Sequence, residues 1–279
     1  MGKQKRSENT YQKINTIFKR DAKNVIMPYD PFTEPEFEYL RNLKWRGECK
    51  VDGTNMRIEV SKERLYNAST GEDTGVRFKM RFAGKTDNAQ IPPKLQKFME
   101  ENYPKDKVFA ALGLEEEIDI KDLVNHKWTE SDGVTPNYNA IPELYTIYGE
   151  GYGVGIQKAG GNYIKDGVGF IVFDVKVNDI YLLTSARDDI ANKLGAPIVP
   201  LMGYFTIDEA IEYVRKGFKT GLWDNKDFIE EGLVLRTDLG LRNRMGKRLI
   251  TKIKYEDFQK YRNVYGTDEK VEQEPNEHY

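Results

Sequence analysis

Gly47-Glu-Cys-Lys-Val-Asp-Gly-Thr-Asn-Met-Arg57 is the stretch from which the rest of this chain is read. Between positions 45 and 60 apolar and polar residues alternate on either side of a Gly-Thr kink, a pattern that predicts strand, turn, strand. Lys50 stands at the junction. A lysine attacks as a nucleophile only as the neutral amine, which requires desolvation or neighbouring positive charge. The glycine at 53 permits close approach of a phosphate to the backbone. The plainer alternative is a surface turn built on Asp-Gly. Lys-x-Asp-Gly arises by chance in about 7% of chains this long, so the stretch alone decides nothing.

Further along, Lys252-Ile-Lys254 lies on a predicted strand over 249–254. A period of two puts both ammonium groups on one face, where they repel unless a polyanion lies over them. An edge strand guarded by lysines has the same pattern. Glu150 and Glu231 are each followed by glycine, in Tyr148-Gly-Glu-Gly-Tyr152 and Glu230-Glu-Gly-Leu-Val-Leu-Arg236. Carboxylates at strand ends bind ribose hydroxyls or Mg²⁺. For each one alone, a simple strand boundary is the commoner explanation. Phe170-Ile-Val-Phe-Asp-Val175 reads as a core strand, with one aromatic available to stack on a purine.

Around these motifs the elements interleave irregularly. Helices are expected over 11–20, 36–43, 93–103, 108–123, 185–194 and 207–218, the last with Thr206 as cap and Glu209 three residues on. Strands are expected over 76–82, 144–148, 169–176, 180–184 and 233–236. This order suggests α+β rather than a doubly wound parallel sheet. The 279 residues divide into a polar N-terminal extension (1–44), a main domain (45–258) and a charged tail (259–279) too short for an OB-fold domain.

Composition narrows the class. Forty-three basic and 45 acidic residues leave a net charge of −2, so any nucleic-acid affinity must come from a local basic surface. Lys79, Arg81, Arg242, Arg244, Lys247 and Arg248 are the candidates for it. No apolar run is long enough to cross a bilayer, and no hydrophobic segment follows the basic start, so the expected address is the cytoplasm. One cysteine, Cys49, and two histidines, His126 and His278, argue against a disulfide framework and a structural zinc site.

In chain order, Lys50-Val-Asp-Gly-Thr-Asn55, Tyr148-Gly-Glu150, Phe170-Ile-Val-Phe-Asp174, Glu231-Gly-Leu-Val-Leu-Arg236 and Lys252-Ile-Lys254 resemble the motifs of the covalent nucleotidyltransferase superfamily of ligases and capping enzymes. Asn55, where DNA ligases and capping enzymes usually carry arginine, makes the set similar to the RNA ligase 2 family. The loop Gly84-Lys-Thr-Asp-Asn-Ala-Gln-Ile-Pro92 falls where that family has its next motif, with Lys85 in place of the usual arginine. Asp52, where several RNA ligases have histidine, is the DNA ligase residue and keeps a DNA substrate open.

The resemblance implies a nucleotidyltransferase (ATP-grasp-like) domain with antiparallel sheets flanked by helices and a central nucleotide cleft. Its expected activity is ATP-dependent joining of a 5′-phosphate to a 3′-hydroxyl of RNA. Lys50 would carry AMP, and Lys252 and Lys254 would neutralise the α-phosphate. Glu231 would hold Mg²⁺, with Asp52 as a second candidate metal ligand. Glu150 would hold the ribose, Phe173 (with Phe170 as rival) would stack on adenine, and Glu48 would accept from the adenine amine. Val51, Asn55 and Lys85 complete the expected nucleotide contacts. The expected partner is RNA, as nicked duplex or broken ends, with DNA as an alternative, no membrane, and the chain acting as a monomer. The rival functions are a minimal DNA or hybrid-duplex ligase, a capping-type guanylyltransferase and a non-catalytic nucleic-acid-binding protein.

Overall fold

The computed structural model describes residues 10–125, 129–133 and 135–266. His126, His278 and most of the expected tail lie outside the described residues. The chain opens with β1 (Asn15–Thr16), α1 (Pro35–Tyr39) and β2 (Trp45–Cys49). There follow β3 (Thr54–Tyr66), β4 (Asp73–Ala83), α2 (Pro93–Asn102), α3 (Lys105–Leu112), β5 (Glu117–Asp119), α4 (Ile120–Asn125), β6 (Leu144–Gly153), α5 (Gly160–Tyr163), β7 (Val168–Val177), β8 (Ile180–Tyr181) and α6 (Thr184–Leu194). The last elements are β9 (Leu201–Phe205), α7 (Ile207–Lys216), β10 (Gly232–Arg236), β11 (Ile250–Lys254) and α8 (Tyr255–Tyr265).

These elements form two compact units, and the chain passes from one to the other directly after Val51. The first unit holds Asp52–Ile198 with the N-terminal residues through Tyr11. Its sheet has the order β5-β4-β3-β6-β7-β8 and is antiparallel throughout. Met56, Ile58 and Val60 on β3 recur every second residue and turn to a core shared with Phe78, Ile147, Phe170, Leu95 and Leu194. The opposite face of β3 carries Asn55, Arg57 and Glu59.

The second unit holds Gln12–Val51 with Val199–Tyr279. Its sheet has the order β1-β11-β10-β2-β9. All its pairs are antiparallel except β1 with β11, where Asn15 faces Thr251 and Thr16 faces Lys252. Trp45, Leu233, Leu235 and Ile253 pack beneath Ile207, Ala210 and Val214 of α7 and Phe258 of α8. Thr206 and Glu209 form a reciprocal capping box at the start of α7, as their spacing suggested.

The mixed α+β class with antiparallel sheets is the fold expected from the sequence. Three local expectations change. Residues 11–20 are not helical: Asn15 and Thr16 form a short strand at the edge of β11, and Ile17 and Phe18 are buried directly after it. A segment with only two turns of helical periodicity gains more from sheet pairing than from an isolated helix, which is marginal at that length. The expected helix over 108–123 is broken at Gly113, whose φ of 68° ends α3 in the left-handed conformation, and β5 follows. Strand β9 was not anticipated. Among the described residues no helix is long and apolar enough to cross a membrane.

Candidate active site

In the second unit, three strands end at one place. Lys50 follows the last residue of β2, and its backbone N–H donates to the Gly232 carbonyl at 2.9 Å. Glu231 precedes β10, and Lys254 closes β11, where it pairs with Gly232. Lys50 Nζ donates to Glu231 Oε2 at 2.5 Å, and Lys254 Nζ lies 2.9 Å from Glu231 Oε1. One carboxylate therefore bridges two ammonium groups.

Gly232 makes this junction possible. Its φ is +151°, and a Cβ there would lie 1.9 Å from the Ile253 carbonyl oxygen. The glycine after Glu231 is therefore a packing requirement between β10 and β11.

Lys252 shares the β11 face with Lys254. Burial, then the charges of Lys50 and Lys254, push its pKa below the ordinary lysine value. Burial also disfavours charge on Lys254, but hydrogen bonds to Glu256 and Glu231 outweigh it and hold Lys254 well above that value. The two lysines, two residues apart, are thus shifted in opposite directions, and Lys252 lacks the carboxylate hydrogen bonds that Lys254 makes.

Glu48, two residues before Lys50, is buried between two guanidinium groups, with Arg46 Nε at 3.0 Å and Arg236 Nε at 3.1 Å. The sequence pattern gives neither arginine a role, although Arg46 lies two residues from Glu48 on β2 and Arg236 ends the motif that begins at Glu231. Behind Lys50, Cys49 donates through its thiol to Glu230, which also accepts from Trp223 Nε1 and Thr220 Oγ1, each at 2.6 Å. Burial pushes the Cys49 thiol up, with the Glu230 charge adding to it. Val51 is buried and closes this unit.

The first unit carries the other predicted residues. Asn55, Glu150 and Ile171 form one cross-strand row on β3, β6 and β7. Gly53 enables the close passage of the chain beside this row, because a Cβ there would meet Glu150 Cγ at 2.8 Å and the Gly151 carbonyl oxygen at 2.3 Å. Asn55 Oδ1 is buried without a hydrogen-bond partner, an arrangement that is costly unless a ligand completes it. The Asp52 backbone N–H donates to the Tyr163 hydroxyl at 2.9 Å.

The two phenylalanines of β7 differ in their surroundings. Tyr148 pairs with Asp174 while Gly149 pairs with Val172, which leaves Phe173 as the extra residue of β7. Phe170 is fully buried in the core and packs edge-on against Tyr103, with ring centroids 5.5 Å apart. Phe173 is only half-buried, beside Tyr148 and Tyr11. The Tyr11 hydroxyl donates to Asp174 Oδ2 at 2.8 Å. Tyr11 escaped the sequence analysis because it was assigned to a helix.

Lys85 is exposed on a loop that two arginines fasten. Arg57, fully buried, donates to the Gly84 carbonyl at 2.8 Å and to Asp87 at 2.9 Å, and Arg81 reaches the same Asp87 oxygen. Of the candidate nucleic-acid contacts, Arg81 is thereby occupied, Lys79 pairs with Glu63 at 2.7 Å, and Arg248 is buried. Arg242, Arg244 and Lys247 are exposed on the turn between β10 and β11. Among the described residues no three histidine, cysteine or acidic side chains are grouped to hold a metal unaided.

The strands of this α+β fold thus converge on a lysine, a glutamate and two further lysines. The RNA ligase family model matches residues 43–254, and the chain belongs to that family.

The chain is also similar to structures of the Naegleria gruberi RNA ligase. One, with PPi, has 15% identity and a TM-score of 0.47, and the match covers 91% of this chain and 64% of that one. A variant with ATP and Mn has 14% identity, the same TM-score and coverages of 91% and 64%. A second variant with ATP and Mn has 16% identity, a TM-score of 0.47 and coverages of 88% and 57%. The chain thus spans less than two thirds of the length of those ligases. No curated protein matches it.

Proposed function

We propose that this protein is an ATP-dependent RNA ligase that carries AMP on Lys50 and seals a 5′-phosphate to a 3′-hydroxyl. The observation that carries this reading is the convergence of Lys50, Glu231 and Lys254 at the ends of β2, β10 and β11. The Lys50 amine attacks the α-phosphorus of ATP. An N–P bond forms, the bond from the α-phosphorus to the bridging oxygen breaks, and pyrophosphate leaves with the electron pair. AMP then passes to a 5′-phosphate, and the 3′-hydroxyl displaces it.

Each step builds negative charge on phosphate oxygens, and preorganised cations stabilise such charge. Lys252, whose charge is unpaired among the described residues, and Lys254 supply it here. Glu231 is the first candidate for a divalent cation, Mg²⁺ on this reading, because its carboxylate already gathers the positive charge of Lys50 and Lys254; Asp52 is the second candidate. Bound Mg²⁺ would neutralise phosphate charge and lower the barrier to displacement. Until then, Glu231 holds the Lys50 ammonium, which must be released and lose its proton before it attacks.

Asn55 and Glu150 are proposed to receive the ribose, since Asn55 Oδ1 has an unmet acceptor. Phe173 is proposed for the purine face, because Phe170 is buried in the core while Phe173 is only half-buried. Glu48, oriented by Arg46 and Arg236, is proposed to accept from the adenine amine, and Val51 and Lys85 to line the nucleotide.

Incubation with ATP and Mg²⁺, followed by intact-mass measurement, tests the reading. The protein is expected to gain one AMP, and Lys50→Ala is expected to gain none. Labelling of another lysine in the variant would overturn the assignment.

A further inference from the structure

A groove of about 660 Å³ opens in the second unit beside β11. Six cations line it, Lys13, Lys19, Arg20, Lys252, Lys254 and Lys260, against two carboxylates, Glu256 and Asp257. The whole chain has a net charge of −2, so this concentration of positive charge is local. We infer that this groove binds the sugar–phosphate backbone of the RNA strand delivered to Lys252 and Lys254.

The groove is a product of the β1 pairing. Thr16 lies beside Lys252, and the Ile17 N–H donates to the Lys252 carbonyl at 3.0 Å. This edge strand brings Lys13 and Lys19 alongside the two β11 lysines. Lys13 and Lys19 are exposed and, like Lys252, have no carboxylate partner among the described residues. Arg20 and Lys260 are held in place instead, Arg20 by Asp257 at 2.7 Å and Lys260 by the Asn24 carbonyl at 3.2 Å. Asn15, Thr16, Asn24 and Thr33 add polar lining, with the Thr16 and Thr33 hydroxyls held by backbone carbonyls.

The choice of a polynucleotide over a small anion follows from exposure. Exposed lysines hold a single anion weakly because water and salt screen them. A polyanion gains from the same lysines by releasing its condensed counterions. Lys79 and Arg81, expected from the sequence to contact nucleic acid, are tied up in ion pairs on the other unit, and the N-terminal segment takes their place.

The inference rests on the ligase reading for the choice of RNA, and the test separates the two. A 5′-phosphorylated single-stranded RNA is titrated into wild-type protein and Lys13→Ala/Lys19→Ala over a range of salt, without ATP. Loss of two phosphate contacts is expected to lower the log–log salt slope by about 1.4 and to weaken binding about 25-fold near 0.1 M salt. Equal affinity and slope for the two proteins would overturn the groove assignment. So would normal RNA binding combined with a raised ATP requirement for AMP attachment, since the groove would then serve the triphosphate. Failure of the wild-type protein to gain AMP would instead refute the ligase reading and leave the RNA titration to be judged by itself.

Discussion

Glu231 joins Lys50 to Lys254: its two carboxylate oxygens lie 2.5 Å and 2.9 Å from the two ammonium groups. The residue proposed to hold the metal is therefore also the one paired with the proposed nucleophile. Replacing it affects both roles. Glu231→Gln keeps the shape and removes the charge. The initial rate of AMP attachment is expected to fall roughly a hundredfold, the scale for loss of one well-placed electrostatic group. A rate within threefold of wild type would contradict the role.

Lys252 places a charge in a partly buried site beside two other lysines. Its pKa is lowered, so the unfolded chain binds more protons than the folded one as pH rises towards the ordinary lysine value of 10.5. Stability carried by this residue must then increase with pH through that window. Lys252→Met is expected to melt higher than wild type near pH 7. The gap should close as pH approaches 10.5, while AMP attachment is lost. Calorimetry across pH checks it, and an unchanged or lower melting point at pH 7 counts against it.

Gly232 admits no side chain. Gly232→Ala would place a Cβ 1.9 Å from the Ile253 carbonyl oxygen at a φ that side chains disfavour. It is expected to cost about 2 kcal/mol or more in denaturant unfolding and to abolish AMP attachment. A variant as stable as wild type would show that β10 and β11 can separate cheaply.

The two phenylalanines should respond differently. Phe170→Ala empties a fully buried core position and is expected to cost about 3–5 kcal/mol of stability. Phe173→Ala removes the half-buried aromatic and is expected to raise the KM for ATP about tenfold, within the usual range for base stacking. Equal effects of the two changes on KM would remove the distinction.

Much of this was legible in the sequence because it depends on local pattern. The alternation around Lys50, the Glu-Gly pairs, the Lys-Ile-Lys strand and the Thr206 cap each follow from a period of two or from a fixed local spacing. The helix expected over 11–20 was misread for the complementary reason: apolar residues at 14, 17 and 18 suit either a short helix or a strand, and only a partner strand decides between them. Arg46 and Arg236 have no role legible in the sequence because it lies in the one carboxylate, Glu48, that they share across a sheet.

The sequence by itself determined the family, the α+β class and the order of the chemistry-bearing residues, since these are carried by short motifs and periodicity. The tertiary structure decided which phenylalanine faces the core, which basic residues remain unpaired, and where the N-terminal segment lies. Those outcomes depend on core packing, on ion pairs and on strand pairing between residues up to 236 positions apart, as with Asn15 and Thr251. Contacts at such separation leave no periodic trace along the chain, because they are selected by the packing of whole elements.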